Sequence, residues 1–238
     1  PHGVLALIVG KLMKLPVIIC IIGNPKYRFR NTGIRGYITD FIYKNADIIT
    51  VTGKSSRKFI SENKRIKSEK IFVLPNSIPI NEFQNTQIQT KYDLITLGRL
   101  SPEKGLFELI EIINELKIFM PEIKLGIAGK GPLGDKLKLR ISELKLEKNV
   151  FLLGYVDNVA NFLNSGKIFV TTTKTEGLPR TVIQSMSCGT PAICSNVGDL
   201  SDLIIDNENG YIIDSYLDKK QIIKKIKLLL KDDLKRSL

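Results

Sequence analysis

The stretch Glu176-Gly177-Leu178-Pro179-Arg180-Thr181-Val182-Ile183-Gln184 puts a carboxylate, a glycine and a proline between two different periodicities. Before it, the β-branched run Ile168–Thr172 reads as a buried strand. After it, Val182, Ile183 and Met186 are spaced as the inner face of a helix that Gly189 and Pro191 end. Pro179 suits the first turn of that helix, where a missing N–H costs nothing. Glu176 thus stands where a strand hands over to a helix, and Gly177 lets a ligand approach the backbone closely. The unpaired amides and the dipole at the helix start favour an anion, typically phosphate. Because proline has no N–H, Arg180 and Thr181 are the better amide donors. A carboxylate for sugar hydroxyls and amides for phosphate together suit a nucleotide sugar. An ordinary βα turn with a solvated glutamate fits the same residues.

A second stretch, Gly98-Arg99-Leu100-Ser101-Pro102-Glu103-Lys104-Gly105, also lies between a strand and a helix pattern. An arginine fork and a lysine ammonium within one βα turn suit a diphosphate, the first through paired hydrogen bonds, the second as a mobile point charge. Two ordinary surface cations are the alternative. Gly129-x-Gly131-x-x-Gly134 matches the dinucleotide-binding spacing, again after a strand and before a helix. It follows the second strand of its series, however, and the next strand end offers Gly154-Tyr155 instead of a ribose-binding acid, with Asp157 slightly late. A tight turn beside a ligand is the better reading. Gly53-Lys54-Ser55 resembles the end of a P-loop, but the glycine required five positions earlier is Ile48.

These loops need elements to hold them. Residues 1–76 read as helix 3–14, strand 17–22, helix 34–45, strand 47–52, helix 55–63 and strand 71–74, an alternating α/β pattern with three strands. Residues 77–91, polar and rich in Asn and Gln, read as a linker. From residue 92 onward, six strands (93–97, 124–128, 150–153, 168–172, 192–195, 211–213) alternate with helices. The expected helices there include 200–205 and a last one over 218–234. This alternation predicts α/β architecture: two Rossmann-like domains, 1–76 and 92–238, each a parallel sheet covered by helices. Parallel strands send their following loops to one edge, where ligands bind in such sheets. With only three strands, the first domain reads as incomplete, and the chain as a piece truncated at both ends.

Composition narrows the function classes. Of 238 residues, 36 are Lys or Arg and 24 are Asp or Glu, a net charge of +12. That surplus suits phosphorylated substrates or an anionic membrane face, and equally a solvated lysine-rich surface. The loop residues Lys26, Arg28, Arg30 and Arg35 and the basic amphipathic helix 218–234 are its densest parts. No nucleic-acid motif occurs and the basic residues are not interleaved with aromatics, so nucleic acid is not an expected partner. Cys20, Cys188 and Cys194 fall in expected core segments without a Cys-x-x-Cys, which suggests packed, reduced thiols in the cytoplasm. With His2 the single histidine and no Asp-x-Asp after a strand, a His-based triad or a metal site is not expected.

Taken together, Gly98-Arg99-Leu100-x-x-Glu103-Lys104-Gly105, Gly129-x-Gly131-Pro132, Glu176-Gly177-Leu178-Pro179 through Gly189-Thr190-Pro191, and Leu74-Pro75-Asn76-Ser77-Ile78 resemble family 4 of the retaining glycosyltransferases. The resemblance spans essentially the whole chain. It implies a GT-B fold, two Rossmann-like domains facing across a cleft, and sugar transfer from a nucleotide-sugar donor to a polysaccharide or glycolipid acceptor. It also implies no required metal and no cofactor, the nucleotide sugar being a substrate. By position, Arg99 and Lys104 would hold the diphosphate and Glu176 the donor sugar. Gly98, Gly129, Gly177, Leu178, Pro179, Arg180 and Thr181 would line the donor, and Gly154-Tyr155-Val156 would flank the base. The family often has a second glutamate eight positions after the first, on the ribose; here it is Gln184, an acceptor without charge. The resemblance further implies cytoplasmic work, at the inner face of the membrane where the acceptor is lipid-linked. A sugar-nucleotide epimerase of the same fold and a non-catalytic nucleotide-sugar-binding fragment are the alternatives.

Overall fold

The computed structural model describes residues 2–28, 33–64, 66–86 and 88–236. Of the basic loop, Arg30 lies outside these residues. The chain packs as two units, Pro1–Asn76 with Thr175–Leu178 and Val197–Leu203, and Ser77–Lys174 with Pro179–Asn196 and Ile204–Leu238.

In the first unit, helix α1 (His2–Met13) leads to strand β1 (Ile18–Ile21), α2 (Pro25–Arg28), α3 (Ile34–Asn45), β2 (Ile48–Val51), α4 (Lys54–Lys64) and β3 (Ile71–Val73). The strands form a parallel sheet in the order β1-β2-β3, with Ile18 opposite Ile48 and Ile49 opposite Ile71. Its core is Ile21, Tyr43, Ala46, Ile49, Val51, Ile60, Ile66 and Ile71. The first strand differs from the buried strand expected of it. Within it Ile18 is 54% exposed, Cys20 is exposed, and only Ile21 is buried. Cys20 is therefore not a core thiol, whereas Cys188 and Cys194 are buried. Burial raises the pKa of the Cys194 thiol and keeps it protonated.

The start of α4 is where this unit is most tightly specified. The Asp199 carboxylate, fully buried, accepts from the Ser56 amide (2.7 Å), the Ser56 hydroxyl (2.8 Å) and the Thr52 hydroxyl (2.6 Å). Asp202 accepts from the Ser55 amide (3.1 Å) and hydroxyl (3.0 Å). Two carboxylates thus satisfy helix amides that would otherwise be left without partners. A Cβ on Gly53 would run into Asp199 and Asp202. Gly53-Lys54-Ser55 is thus an anion site filled by the protein's own aspartates. The same bonds account for a second correction. Instead of a helix over 200–205 there is a single 3₁₀ turn, Leu200–Asp202. Asp199 and Asp202 face α4, and the Ile205 amide is taken by Asn209 Oδ1 at 2.8 Å.

The second unit holds β4 (Tyr92–Leu97), α5 (Leu106–Lys117), β5 (Leu125–Ala128), α6 (Gly134–Glu143), β6 (Val150–Gly154), α7 (Val159–Asn164), β7 (Gly166–Thr171), α8 (Arg180–Ser187), β8 (Ala192–Ser195), β9 (Gly210–Ile213), α9 (Lys219–Lys231) and α10 (Asp233–Arg236). All six strands are parallel, in the order β6-β5-β4-β7-β8-β9. The core forms because apolar residues recur at helical spacing. In α5 these are Leu106, Leu109, Ile110, Ile113 and Leu116, and in α9 Ile222, Ile226 and Leu229, all buried with Leu94, Leu125, Ile168 and Ile193 of the strands. The stretch 77–91 lies on this unit: Phe83 is buried, its carbonyl accepts from Ser187 Oγ (2.6 Å), and the Thr86 amide donates to Asn164 Oδ1 (2.8 Å).

The expected last helix is shorter and is followed by a separate turn of helix. Asp218 caps α9 through the Gln221 amide (3.0 Å), Asp232 leaves helical geometry, and Arg236 donates to the Leu229 carbonyl (2.8 Å) as α10 folds back. Two lysines of its basic face lie on aromatic rings, Lys225 over Tyr211 at 4.1 Å and Lys227 over Phe119 at 4.0 Å. No helix among the described residues is long and apolar enough to cross a membrane.

Removing the Asp199 carboxylate leaves the buried Thr52 and Ser56 donors without an acceptor. Asp199→Ala is expected to destabilise the first unit by about 1–3 kcal/mol, read as a lower urea midpoint.

Candidate functional site

The order of the six strands fixes where a ligand crevice opens. The chain runs outward from β4 through β5 to β6, returns to β7 beside β4, and runs the other way through β8 to β9. The reversal lies between β4 and β7, and beyond the carboxyl ends of such a strand pair the loops diverge and leave a crevice. Within this unit the loops concerned are 98–105 after β4 and 172–174 after β7.

The β4 loop is held by backbone hydrogen bonds to the end of β5 and within itself. The Gly98 amide donates to the Ala128 carbonyl (3.0 Å), the Leu100 amide to Lys130 (3.0 Å), and the Lys104 amide to Ser101 (3.0 Å). Arg99, 69% exposed at its side chain, donates from Nη2 to Glu103 Oε1 at 2.7 Å. Ser101, buried, donates its hydroxyl to the same oxygen at 2.6 Å. These two bonds hold the Glu103 carboxyl down at about 2, from 4.5. Lys104 folds back over Gly98, its ammonium 3.7 Å from where a Cβ on that glycine would stand. The loop is also tied to the end of β7. The Glu103 carbonyl accepts from the Lys174 amide (2.7 Å) and the Thr173 hydroxyl (3.0 Å), and the Thr172 hydroxyl donates to the Gly105 carbonyl (2.7 Å). Gly105 has φ +64°, and a Cβ there would run into the Thr172 carbonyl.

Gly129 and Gly131 bring the β5 loop against the β4 loop. Gly129 has φ +135° and a Cβ on it would strike the Gly98 carbonyl, while a Cβ on Gly131 would strike Leu100. Gly134 meets only an ordinary van der Waals contact there. The first two glycines therefore serve backbone-to-backbone packing of adjoining loops. The Gly129 amide donates to the Gly154 carbonyl (2.6 Å), which draws in the β6 loop. Tyr155 is exposed there, with Lys130 Nζ 6.0 Å from its ring centroid, and Val156 is half-buried.

The β7 loop divides between the two units. Thr172, Thr173 and Lys174 belong with the β4 loop, as described. Glu176, half-buried, and the buried Gly177 and Leu178 pack in the first unit. A Cβ on Gly177 would meet the Ile22 carbonyl, the Gly177 carbonyl accepts from the Asp199 amide (2.8 Å), and the Leu178 carbonyl accepts from Asn76 Nδ2 (2.5 Å). Pro179 is the residue before α8 and not in its first turn as expected: its ψ of 122° is extended, and the helix begins at Arg180. The N-cap residue, Pro179, makes no side-chain cap hydrogen bond. The Arg180 and Thr181 amides thus head α8, with the Val182 amide turned to the Pro179 carbonyl at 3.2 Å. Gln184 is half-buried in the second turn, beside the buried Val182 and Ser185.

Sequence reasoning read Ser101-Pro102-Glu103 only as a helix entrance, and assigned no role to Thr173 or Asp199. Glu103 and Ser101 had a local signal, four and two positions after Arg99. Asp199 had none, because its partners Thr52 and Ser56 are more than 140 residues away in the chain.

This arrangement is that of the GT-B glycosyltransferases. A crystal structure of an S. aureus TarM variant in complex with fondaparinux, alpha-GlcNAc-glycerol and UDP matches 94% of this chain and 45% of that chain, with a TM-score of 0.81 at 25% identity. The chain belongs to the family described as glycosyl transferases group 1, whose model matches residues 77–237. An uncharacterized glycosyltransferase of Methanocaldococcus jannaschii is 34% identical over 167 residues, 66% of this chain and 41% of the relative. The N-acetylgalactosamine-N,N'-diacetylbacillosaminyl-diphospho-undecaprenol 4-alpha-N-acetylgalactosaminyltransferase of Campylobacter jejuni is 25% identical over 239 residues, 97% of this chain and 64% of the relative. The chain therefore spans less than two thirds of the length of either.

The lowered Glu103 carboxyl has a consequence for acid stability. Above pH 4.5 its stabilisation is fully present, and it is lost as the pH falls from there toward 2, because the unfolded chain takes up the proton first. Glu103→Gln is expected to flatten the fall of stability in that window, measured as urea midpoints across an acid pH series.

Proposed function

We propose that the chain carries the donor-binding part of a retaining, metal-independent glycosyltransferase that moves a sugar from a nucleotide-sugar donor to a glycan or lipid-linked acceptor. The observation that carries this reading is the loop after β4 at the strand-order reversal, with Arg99 exposed and Lys104 folded over Gly98. The contrast between two helix starts supports it. That of α4 is filled by Asp199 and Asp202, whereas the N-cap of α8 is Pro179, which makes no side-chain cap hydrogen bond. Family membership and a relative named for transfer onto a diphospho-undecaprenol-linked sugar support the substrate class.

In this reading, Arg99 and Lys104 bind the donor diphosphate, and the Arg180 and Thr181 amides add the positive end of α8. Glu176, in the loop leaving β7, binds the hydroxyls of the donor sugar. Gly98, Gly129, Gly177, Leu178 and Pro179 line the donor, Gly154, Tyr155 and Val156 flank the base, and Gln184 accepts from the ribose. As the bond from the sugar's anomeric carbon to the diphosphate oxygen breaks, positive charge grows on the sugar and negative charge on the leaving group. Fixed cations aimed at that leaving group stabilise the transition state more than the ground state. The acceptor oxygen attacks from the same face and passes its proton to a diphosphate oxygen, so configuration is retained without a protein nucleophile. A lipid-linked acceptor would place this work at the cytoplasmic face of a membrane, where lysines of α9 suit anionic headgroups.

The test is a titration of the chain, in excess chelator, with UDP, GDP, ADP and the corresponding nucleotide sugars. Arg99→Ala is expected to weaken nucleoside diphosphate binding by about 10- to 100-fold, the scale of one or two charge-assisted hydrogen bonds. Glu176→Ala is expected to leave diphosphate binding near wild type and to remove the extra affinity for the sugar nucleotide. Wild-type affinities in Arg99→Ala would overturn the assignment.

A further inference from the structure

Glu103 is an odd neighbour for an anion site. Its charge opposes a diphosphate, yet one carboxylate oxygen takes both the Arg99 guanidinium at 2.7 Å and the Ser101 hydroxyl at 2.6 Å. Its backbone is equally fixed, since the Glu103 carbonyl holds the Lys174 amide and the Thr173 hydroxyl and Gly105 follows in the left-handed region. Ser101 is itself buried, with its amide on the Arg99 carbonyl at 2.9 Å. The carboxylate is therefore anchored from its main chain and from a buried hydroxyl, and Arg99 is the exposed member of the group.

A guanidinium is a planar fork of five N–H donors, so fixing one terminal nitrogen sets the plane of the whole group. The Glu103 bond comes from Nη2, which leaves Nη1 and Nε to define the fork's other edges. A long exposed side chain otherwise loses rotamer freedom on binding, and pre-ordering it removes that cost from the ligand's affinity.

We propose that Glu103, buttressed by Ser101, is a positioning residue that aims the Arg99 guanidinium at the diphosphate of the nucleotide sugar. This role rests on the donor-site reading given above. It also accounts for a carboxylate beside a phosphate site. Its carboxyl stays ionised, because the Ser101 hydroxyl and the Arg99 guanidinium hold it far below the ordinary carboxylate range, and the guanidinium 2.7 Å away balances that charge. Glu103 makes no contact with the donor in this arrangement; it acts through Arg99.

A double-mutant cycle on the full chain tests this, with UDP, GDP and ADP as probes and calorimetry as the readout. Glu103→Ala is expected to weaken the best-binding nucleotide on the order of tenfold. Glu103→Gln keeps an acceptor oxygen in place and is expected to lose less. In the Arg99→Ala background, Glu103→Ala is expected to cost nothing further, which a merely structural role would not produce. Binding by Glu103→Ala that equals or exceeds wild type, as simple removal of a negative charge would give, overturns the role. So does a loss that persists undiminished without Arg99. Should Glu103→Ala fail to fold, Glu103→Gln with and without Arg99 carries the same comparison. A wild-type chain that binds none of the three nucleotides overturns the donor-site reading and this role together, whereas normal wild-type binding with an unaffected Glu103→Ala overturns this role alone.

Discussion

Parallel strands cannot turn back on one another directly, and every strand of the second unit must be reached by a crossover. When the chain reverses its direction of travel across the sheet, the two loops at the reversal are the ones that part. Here they follow β4 and β7. That opening would leave the loop backbone without partners, a cost buried amides and carbonyls do not tolerate. The Glu103 carbonyl, the Gly105 carbonyl and the hydroxyls of Thr172 and Thr173 resolve it by joining the roots of the loops. The rest of the β4 loop carries Arg99 and Lys104.

The same accounting explains three of the glycines. Gly105, Gly129 and Gly131 stand where one loop's backbone lies against another's carbonyl or amide, and no side chain fits. A pattern that resembles a dinucleotide site thus arises from loop packing. It also explains why Gly53-Lys54-Ser55 is no phosphate site: the protein fills that helix start with Asp199 and Asp202.

Much of the fold was legible because both units are built from strong periodicities. The helix over 34–45 and the strand over 192–195 lie where the apolar pattern puts them, and the remaining strands differ by a residue or two. The differences have separate causes. Cys20 and β1 were expected in a core because their residues are apolar, but Ile18 and Cys20 are exposed, and apolar type alone does not say which side of a strand is covered. The segment 200–205 has helical spacing, but its aspartates bond to α4, and long-range bonds outweighed local preference. Pro179 suits either of two adjacent positions at a helix start, and only its extended ψ distinguishes them.

By itself, the sequence determined the alternation of strands and helices, the parallel sheets that alternation requires, and the loops in which Arg99, Lys104 and Glu176 lie. Those follow from interactions between residues a few positions apart. The order β6-β5-β4-β7-β8-β9, the sharing of one Glu103 oxygen by Arg99 and Ser101, and the burial of Asp199 against Thr52 and Ser56 were decided by the tertiary structure. Each depends on which backbone donors and acceptors meet once the strands have paired, and a linear pattern carries no record of that meeting.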